Sequence, residues 1–251
     1  MDTKKAYAEE RDRLQFHILV ALTQNPQARR LVLKGGTMLR MCVFPDYRFS
    51  EDLDFEWPGT VEELMPILEA AVEEACVSSC ADIAFIDRGK GRRSADFLSL
   101  GMRGRIKIDV SELTETSPYA WNFQDNWENK DKNFRIMGHR LEMVAKEKFI
   151  SLGLRAKGRD YYDLMRLDSL PIVCKEGWEL YTLAYRSRTE AEKDWVAPED
   201  LLSIMYEQID EMFSEWEKSQ EDYLIPEGED CNIVFEHVAH MIEKNMKTAK
   251  S

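Results

Sequence analysis

The sequence contains no long apolar stretch, since no run approaches the roughly eighteen residues that a membrane-spanning helix needs. The N-terminal segment, MDTKKAYAEERDR, is charged and lacks the apolar centre of a signal peptide. We therefore expect a cytoplasmic protein that does not enter a membrane. Of the 251 residues, 44% are hydrophobic, which is enough to fill one large domain or two ordinary ones and excludes a disordered chain.

Cysteine and histidine are scarce, and their spacing does not form a familiar metal or disulfide motif. The five cysteines include no C-x-x-C pair, so we expect them to be reduced and mostly buried. Cys76 and Cys80 lie four residues apart on a predicted helix, where a two-ligand metal site is a less favoured alternative. His237 and His240 have helical spacing but no third ligand nearby in the sequence, which favours an ordinary helix surface.

Positive charge is also in short supply: 34 lysines and arginines stand against 47 carboxylates, for a net charge of −13. The deficit is local, because residues 190–230 alone carry two lysines against fifteen carboxylates, and the rest of the chain is near neutral. A basic stretch then stands out between residues 88 and 107, with only Asp96 opposing it; its cations are Arg88, Lys90, Arg92, Arg93, Arg103, Arg105 and Lys107. It permits a phosphate-rich partner, although a solvated hairpin surface is an equally simple interpretation.

The first half of the chain mixes helix and strand patterns. Apolar residues at helical spacing predict a helix over residues 4–24. "RLVLKGG" predicts a short strand that ends in a glycine turn, and "TMLRMCVF" predicts the helix after it. Thr60 and Glu63 form a capping box for a helix that runs to about Cys76. Three strand-like segments follow: "ADIAFIDR", "ADFLSLGMR" and "GRIKIDVSEL".

From about residue 139 the pattern is helical throughout. Helices are predicted at "HRLEMVAKEKFISLGLRA" and "RDYYDLMRLDSL", and then within residues 175–188, 198–220 and 230–247. We therefore expect an α+β protein with an α/β domain over residues 1–135, built on a small mixed sheet flanked by helices. A helical domain over residues 136–251 would complete a cleft, and the polar segment 125–133 is a candidate linker.

Three aspartates have a spacing that suits metal chemistry. In "DLDFEW", strand alternation puts Asp52 and Asp54 on one face, with Cα atoms roughly 7 Å apart. In "IKIDV" the same alternation turns Asp109 away from the apolar side chains. Carboxylate oxygens are the ligands that Mg²⁺ prefers, and such a site can hold one or two ions together with a triphosphate. The alternative is a solvated carboxylate pair.

A glycine turn precedes these aspartates. Gly35 and Gly36 leave backbone N–H groups exposed at the start of a helix, where the helix dipole favours a bound phosphate. Thr37 adds a hydroxyl group at the same place, and its alternative role is that of an N-cap for a helix over residues 37–43. A phosphate site and a metal site are thus predicted close together along the chain.

The combination of GG[ST] on a strand-to-helix turn, DxD on the next strand and a carboxylate on a later strand resembles the DNA polymerase β-like nucleotidyltransferase superfamily. More narrowly, "LVLKGGTMLRMCVFPDYRFSEDLDF" is similar to the first motif of the AbiEii/AbiGii toxin family. "EMVAKEKFISLGLRAKGRDYYDLMRL" is similar to the closing motif of that family. The resemblance covers about residues 30–168 and does not extend to the acidic helical tail.

The resemblance implies a role for individual residues. It assigns Asp52, Asp54 and Asp109 to Mg²⁺, with Asp109 also exerting general-base influence on the acceptor hydroxyl, and it assigns Lys148 to a nucleotide phosphate. Further nucleotide-binding candidates are Lys34, Gly35, Gly36, Thr37, Arg48, Ser50, Arg159, Asp160 and Asp163.

Several of these candidates have alternative roles. Arg48 and Ser50 could instead hold the DxD strand in place. Asp160 and Asp163 could orient Lys148 and Arg159, contact the base and ribose, or begin a helix with salt bridges. Lys146 and Lys148 point about 200° apart on a helix, so only one of them would face the cleft.

The expected reaction is the Mg²⁺-dependent transfer of a nucleoside monophosphate from an NTP to an acceptor hydroxyl, with pyrophosphate leaving. The resemblance implies the toxin of a bacterial type IV toxin–antitoxin or abortive-infection system. It also implies an RNA acceptor, particularly a tRNA 3′ end, and an antitoxin encoded beside the toxin that does not bind it tightly. The alternatives are a small-molecule nucleotidyltransferase of the antibiotic-modifying type and a non-catalytic nucleotide-binding module.

Overall fold

The computed structural model describes residues 3–87, 93–114, 117–124, 134–222 and 224–248. The candidate linker 125–133 and three cations of the basic stretch, Arg88, Lys90 and Arg92, lie outside these residues. The chain divides into two compact units, Met1–His139 and Arg140–Ser251. Within the described part of the chain, we find no helix with the length and apolar character that a membrane crossing requires.

The first unit combines helices with a seven-stranded mixed sheet. Its helices are α1 (Thr3–Gln24), α2 (Gly35–Met38) and α3 (Val61–Ser79), with a 3₁₀ turn at Pro26–Arg30 and a π-helical turn at Leu39–Val43 that continues α2. Its strands are β1 (Val32–Lys34), β2 (Asp52–Trp57), β3 (Asp82–Asp87), β4 (Arg93–Ser99), β5 (Met102–Glu112), β6 (Tyr119–Asn122) and β7 (Arg135–Gly138).

The sheet has the strand order β3, β4, β5, β2, β1, β7, β6. β2 runs parallel to β5 and β1 runs parallel to β7, whereas the other neighbours are antiparallel. One face of the central strands is apolar and fully buried, as at Leu53, Phe55, Ile106 and Ile108. Because side chains alternate along a strand, Asp52, Asp54 and Glu56 of β2 and Asp109 of β5 point to the other face.

α1 and α3 pack against each other and cover part of this sheet. At Gly104 a Cβ atom would lie 2.5 Å from the Tyr7 hydroxyl of α1, so the missing side chain lets the helix approach β5 closely. The predicted capping box is present at the start of α3: Glu63 N–H donates to the Thr60 hydroxyl, and Thr60 N–H donates to the Glu63 carboxylate.

The sequence patterns missed β6 and β7. Each is only four residues long, too short for a clear alternation of apolar and polar side chains. β7 joins the sheet beside β1, with Val32 opposite Met137. The predicted domain boundary after residue 135 would therefore cut through a strand, and the chain leaves the first unit only after His139.

The described residues of the second unit contain helices and connecting segments. Its helices are α4 (Leu141–Leu154), α5 (Gly158–Asp168), α6 (Val173–Arg186), α7 (Leu201–Glu207), α8 (Ile209–Glu221) and α9 (Cys231–Thr248), with a 3₁₀ turn at Glu190–Glu192. The predicted stretch 198–220 is divided near Gln208 into α7 and α8. Together with the mixed sheet of the first unit, these helices confirm the predicted α+β class.

Candidate active site

The glycine turn joins β1 directly to α2. Gly35 has φ +72°, a conformation that residues with a side chain rarely adopt. A Cβ atom there would lie 2.7 Å from Asp54 Oδ2, so the Asp54 carboxylate lies directly against the turn. At Gly36 a Cβ atom would lie 2.5 Å from Arg48 Nη2 and 3.3 Å from Ser50 Oγ. Both glycines are therefore needed for close approach, and Gly35 is also needed for its left-handed backbone conformation.

We expect Gly35→Ala to lower nucleotidyl transfer at least about tenfold, because the new methyl group must displace the Asp54 carboxylate. Because alanine disfavours the left-handed backbone at this position, the free energy of unfolding should also fall by about 1–2 kcal/mol. Steady-state transfer rates and urea denaturation measure the two effects.

Gly101→Ala is the matched control. Gly101 also has a positive φ, +78°, but a Cβ atom there would meet nothing within 4 Å. This variant should lose similar stability and keep its transfer rate. Equal activity losses in the two variants would show that backbone strain, and not the carboxylate contact, causes the defect.

The Thr37 hydroxyl ties the turn to β2. Its side chain is fully buried, and Oγ1 donates a hydrogen bond to the backbone carbonyl of Asp52 at 2.5 Å. The N-cap interpretation of Thr37 is wrong, because α2 begins at Gly35 and Lys34 occupies the N-cap position. Gln15 of α1 donates to the same Asp52 carbonyl at 3.4 Å, so the start of β2 is held from two sides.

The strand register brings the predicted metal ligands together. Asp54 of β2 is paired with Asp109 of the parallel strand β5 and with Lys34 of the antiparallel strand β1. Asp52 is paired with Lys107, whose Nζ lies 3.6 Å from Asp52 Oδ1. Asp52 and Asp54 are half-buried and Asp109 is exposed. Three carboxylates from two neighbouring strands thus line one face of the sheet.

Arg48 and Ser50 lie in the segment before β2, and both are buried. Arg48 Nη1 donates to the carbonyl of Phe49 at 2.9 Å, while its guanidinium packs against Gly36. Arg40 fixes the same segment, since it donates to the Tyr47 carbonyl and pairs with Asp12 of α1 at 2.6 Å. These arginines therefore hold the segment that positions the DxD strand next to the glycine turn.

A buried polar cluster beside the carboxylates was not predicted from the sequence. Glu56, two residues after Asp54, is 1% exposed and accepts hydrogen bonds from the Thr114 backbone N–H at 2.9 Å and hydroxyl at 2.7 Å. Lys34 Nζ lies 3.6 Å from its Oε1, and His139 Nε2 lies 3.2 Å from its Oε2. Glu56 thereby anchors the side chain of Lys34. The strand alternation of "DLDFE" was the available signal, because it places Glu56 on the face of Asp52 and Asp54.

In the second unit, Lys148 forms ion pairs with both aspartates of the closing motif. Lys148 Nζ lies 2.8 Å from Asp160 Oδ1 and 2.8 Å from Asp163 Oδ2, and both carboxylates are fully buried. Arg155, which the sequence analysis did not single out, contacts Asp160 Oδ2 at 3.0 Å. Burial on its own would raise the pKa of Asp160, but the charges of Lys148 and Arg155 outweigh it and lower the pKa below its ordinary value.

The remaining candidates lie in less constrained positions. Lys146 and Arg159 are half-buried, whereas Lys148 is the buried lysine of α4. His237 Nε2 lies 2.9 Å from Asp168 Oδ2 on an exposed surface, in agreement with an ordinary helix face. Cys80 is exposed and follows the last residue of α3.

Comparisons of the chain with known proteins identify a family. The profile described as "Nucleotidyl transferase AbiEii toxin, Type IV TA system" matches residues 17–235. A search of curated proteins gives no significant match.

Two solved structures cover nearly the whole chain. An H. pylori protein assigned as a nucleotidyltransferase is 18% identical, with a TM-score of 0.56 over 100% of this chain and 98% of that one. The nucleotidyltransferase toxin MenT4 from Mycobacterium tuberculosis is 20% identical, with a TM-score of 0.53 over 95% and 94% of the two chains. At this identity the structural matches establish the fold, and the profile match establishes the family. The chain therefore belongs to the AbiEii family of nucleotidyltransferase toxins of type IV toxin–antitoxin systems.

Proposed function

We propose that this enzyme transfers a nucleoside monophosphate from an NTP to the 3′ hydroxyl of an RNA, with a tRNA 3′ end as the preferred acceptor. The observation that carries the proposal is the register that sets Asp54 beside Asp109, with Gly35 packed against the Asp54 carboxylate. A candidate phosphate-binding turn and a set of carboxylates then lie together at the central strands of one sheet.

The carboxylates fit Mg²⁺ by their chemistry. Asp52, Asp54 and Asp109 offer only oxygen ligands, and none of the three is fully buried, so an ion bound there keeps positions for water and phosphate oxygens. Like charges gathered on one sheet face repel one another, and a bound cation relieves that repulsion. The chemistry that Mg²⁺ supplies when bound is charge neutralisation at the phosphates and activation of the acceptor hydroxyl.

The residues of the chain divide the remaining work. Backbone N–H groups of Gly35 and Gly36 hold the triphosphate, and Lys34, anchored by Glu56, adds a positive charge at the same turn. Asp109 accepts the proton of the acceptor hydroxyl, whose oxygen attacks the α-phosphorus. The bond from this phosphorus to the bridging oxygen breaks, and pyrophosphate leaves. Lys148, Arg159, Asp160 and Asp163 remain candidate nucleotide-binding residues on the strength of the sequence resemblance.

The family supports a proposal for the biological setting. We place the enzyme in the bacterial cytoplasm, where its targets are, as the toxin of a type IV or abortive-infection system. Its antitoxin is encoded beside it and acts without binding the toxin tightly. Co-expression of the two genes, followed by affinity purification of the toxin, would recover the toxin alone.

The function is tested by incubating the purified protein with Mg²⁺, each α-³²P-labelled NTP in turn and total bacterial RNA, with Asp54→Ala as the control. We expect a labelled band of tRNA size that requires Mg²⁺ and is lost in the variant. Because only the α-phosphate is labelled, the band reports nucleotidyl transfer and not phosphorylation. Failure of all four NTPs to label RNA would overturn the RNA acceptor and redirect the search to small-molecule acceptors.

A further inference from the structure

We propose that Arg103, Arg105 and Lys107 form a cationic track on β5 that binds the phosphates of a single-stranded RNA and leads its 3′ end to Asp109. The inference rests on the proposed function and adds to it the surface that binds the acceptor. All three cations lie on β5 in the first unit.

The track follows from the alternation of β5. Residues 103, 105, 107 and 109 are all exposed, while the intervening Ile106 and Ile108 are fully buried. Because side chains two apart on a strand share a face and lie roughly 7 Å apart, Arg103 is about 20 Å from Asp109. Three cations therefore lie in line along β5, and the line ends at Asp109, the carboxylate proposed to accept the proton of the acceptor hydroxyl.

The existing ion pairs leave these cations able to bind phosphate. Arg105 Nε lies 2.9 Å from Asp96 Oδ1, and the two side chains are 50% and 32% exposed. Lys107 is 62% exposed at a distance of 3.6 Å from Asp52 Oδ1. Exposed pairs of this kind contribute little free energy, so a phosphate group can compete with the carboxylates. Lys107 also lies next to the metal ligands, which places the last phosphate of the track close to the reacting end.

The spacing favours a polymer with one phosphate per nucleotide. A small-molecule acceptor bound at Asp109 would reach only the nearest of these cations, since the farthest lies about 20 Å away. A single strand that runs along a positively charged groove can meet all three in succession. The net charge of −13 is concentrated in residues 190–230 and the rest of the chain is near neutral, so the track is a local excess of positive charge that attracts RNA to this face.

The test is the double variant Arg103→Gln/Arg105→Gln, assayed with bacterial tRNA and the NTP that the wild type prefers. We expect the KM for tRNA to rise roughly tenfold, because two phosphate contacts are lost, while the KM for the NTP stays unchanged. Fluorescence anisotropy also measures the binding of tRNA without NTP over a range of salt concentrations. The slope of the logarithm of the binding constant against the logarithm of the salt concentration should be smaller in magnitude by about 1.4 in the variant, because each lost single-strand phosphate contact removes about 0.7.

Lys175→Gln/Lys247→Gln is the matched control. It removes the same charge from two exposed lysines of the second unit that also have carboxylate neighbours, and it should change neither KM nor the salt slope. If the wild type labels tRNA but Arg103→Gln/Arg105→Gln keeps the wild-type KM and slope, the track is wrong and the proposed function stands. If the wild type labels no RNA, the proposed function fails first and the track fails with it.

Discussion

Replacing Asp54 with asparagine is expected to reduce nucleotidyl transfer at least roughly 10³-fold, which corresponds to about 4 kcal/mol of transition-state stabilisation. Asp54 lies between Asp109 of β5 and Lys34 of β1 in the strand register, and its carboxylate contacts the glycine turn. An amide of the same shape keeps the packing but removes the negative charge that makes a carboxylate a strong ligand for Mg²⁺. Single-turnover transfer to tRNA measures the effect directly.

Stability separates a catalytic from a structural role for Asp54. Neutralising one of three neighbouring carboxylates relieves repulsion. The free energy of unfolding of Asp54→Asn should therefore lie within about 0.5 kcal/mol of the wild-type value or slightly above it. Asp82→Asn, which changes an exposed carboxylate on the edge strand β3, is the control and should leave transfer unchanged. A wild-type rate in Asp54→Asn would contradict the metal-site assignment, and a large loss of stability would assign Asp54 to the fold instead.

The second large effect is expected in the helical unit. Lys148→Met should lower its free energy of unfolding by about 3–5 kcal/mol, because two fully buried carboxylates, Asp160 and Asp163, lose the ammonium group that lies 2.8 Å from each. Urea denaturation followed by far-ultraviolet circular dichroism detects the change. Lys146→Met, two residues earlier on α4, is half-buried and should cost far less.

The pH dependence gives this prediction a second readout. The folded-state pKa of Asp160 is lowered from 3.8, so its ion pairs stabilise the wild type above this pH, and the contribution is lost as the pH falls through the lowered pKa. In Lys148→Met the buried pair should take up a proton more readily. The stability difference between the two proteins should therefore be largest at neutral pH and shrink toward pH 4. A difference that is constant over this range would show that Lys148 acts through packing and not through its charge.

Local sequence patterns were sufficient for the elements that carry the site. The alternation of "DLDFEW" and "IKIDV" put the three aspartates on strand faces, and the Gly-Gly pair marked the turn before α2, because strand period and glycine conformation are local properties. The capping box of Thr60 and Glu63 was predicted for the same reason. Helix boundaries in the second unit were close to those observed, except at Gln208, where one predicted stretch became two helices.

Contacts between distant parts of the chain could not be predicted in this way. β7 is a strand because β1 and β6 hydrogen-bond to it, and its own four residues carry little pattern. The sequence does not distinguish Glu56 from other acidic residues, because its contacts with Thr114 and His139 form only in the folded chain. The ion pair of Arg155 likewise could not be predicted, because it forms only when α5 places Asp160 beside Arg155.

From the sequence alone came the candidate side chains for binding phosphate and metal, the strand face on which they lie, and the toxin family that their motifs resemble. The tertiary structure decided the register that sets Asp54 between Lys34 and Asp109, and the close contact of Gly35 with the Asp54 carboxylate. The physical reason is that period and conformational preference act over a few residues, whereas register and burial depend on the packing of segments far apart in the chain.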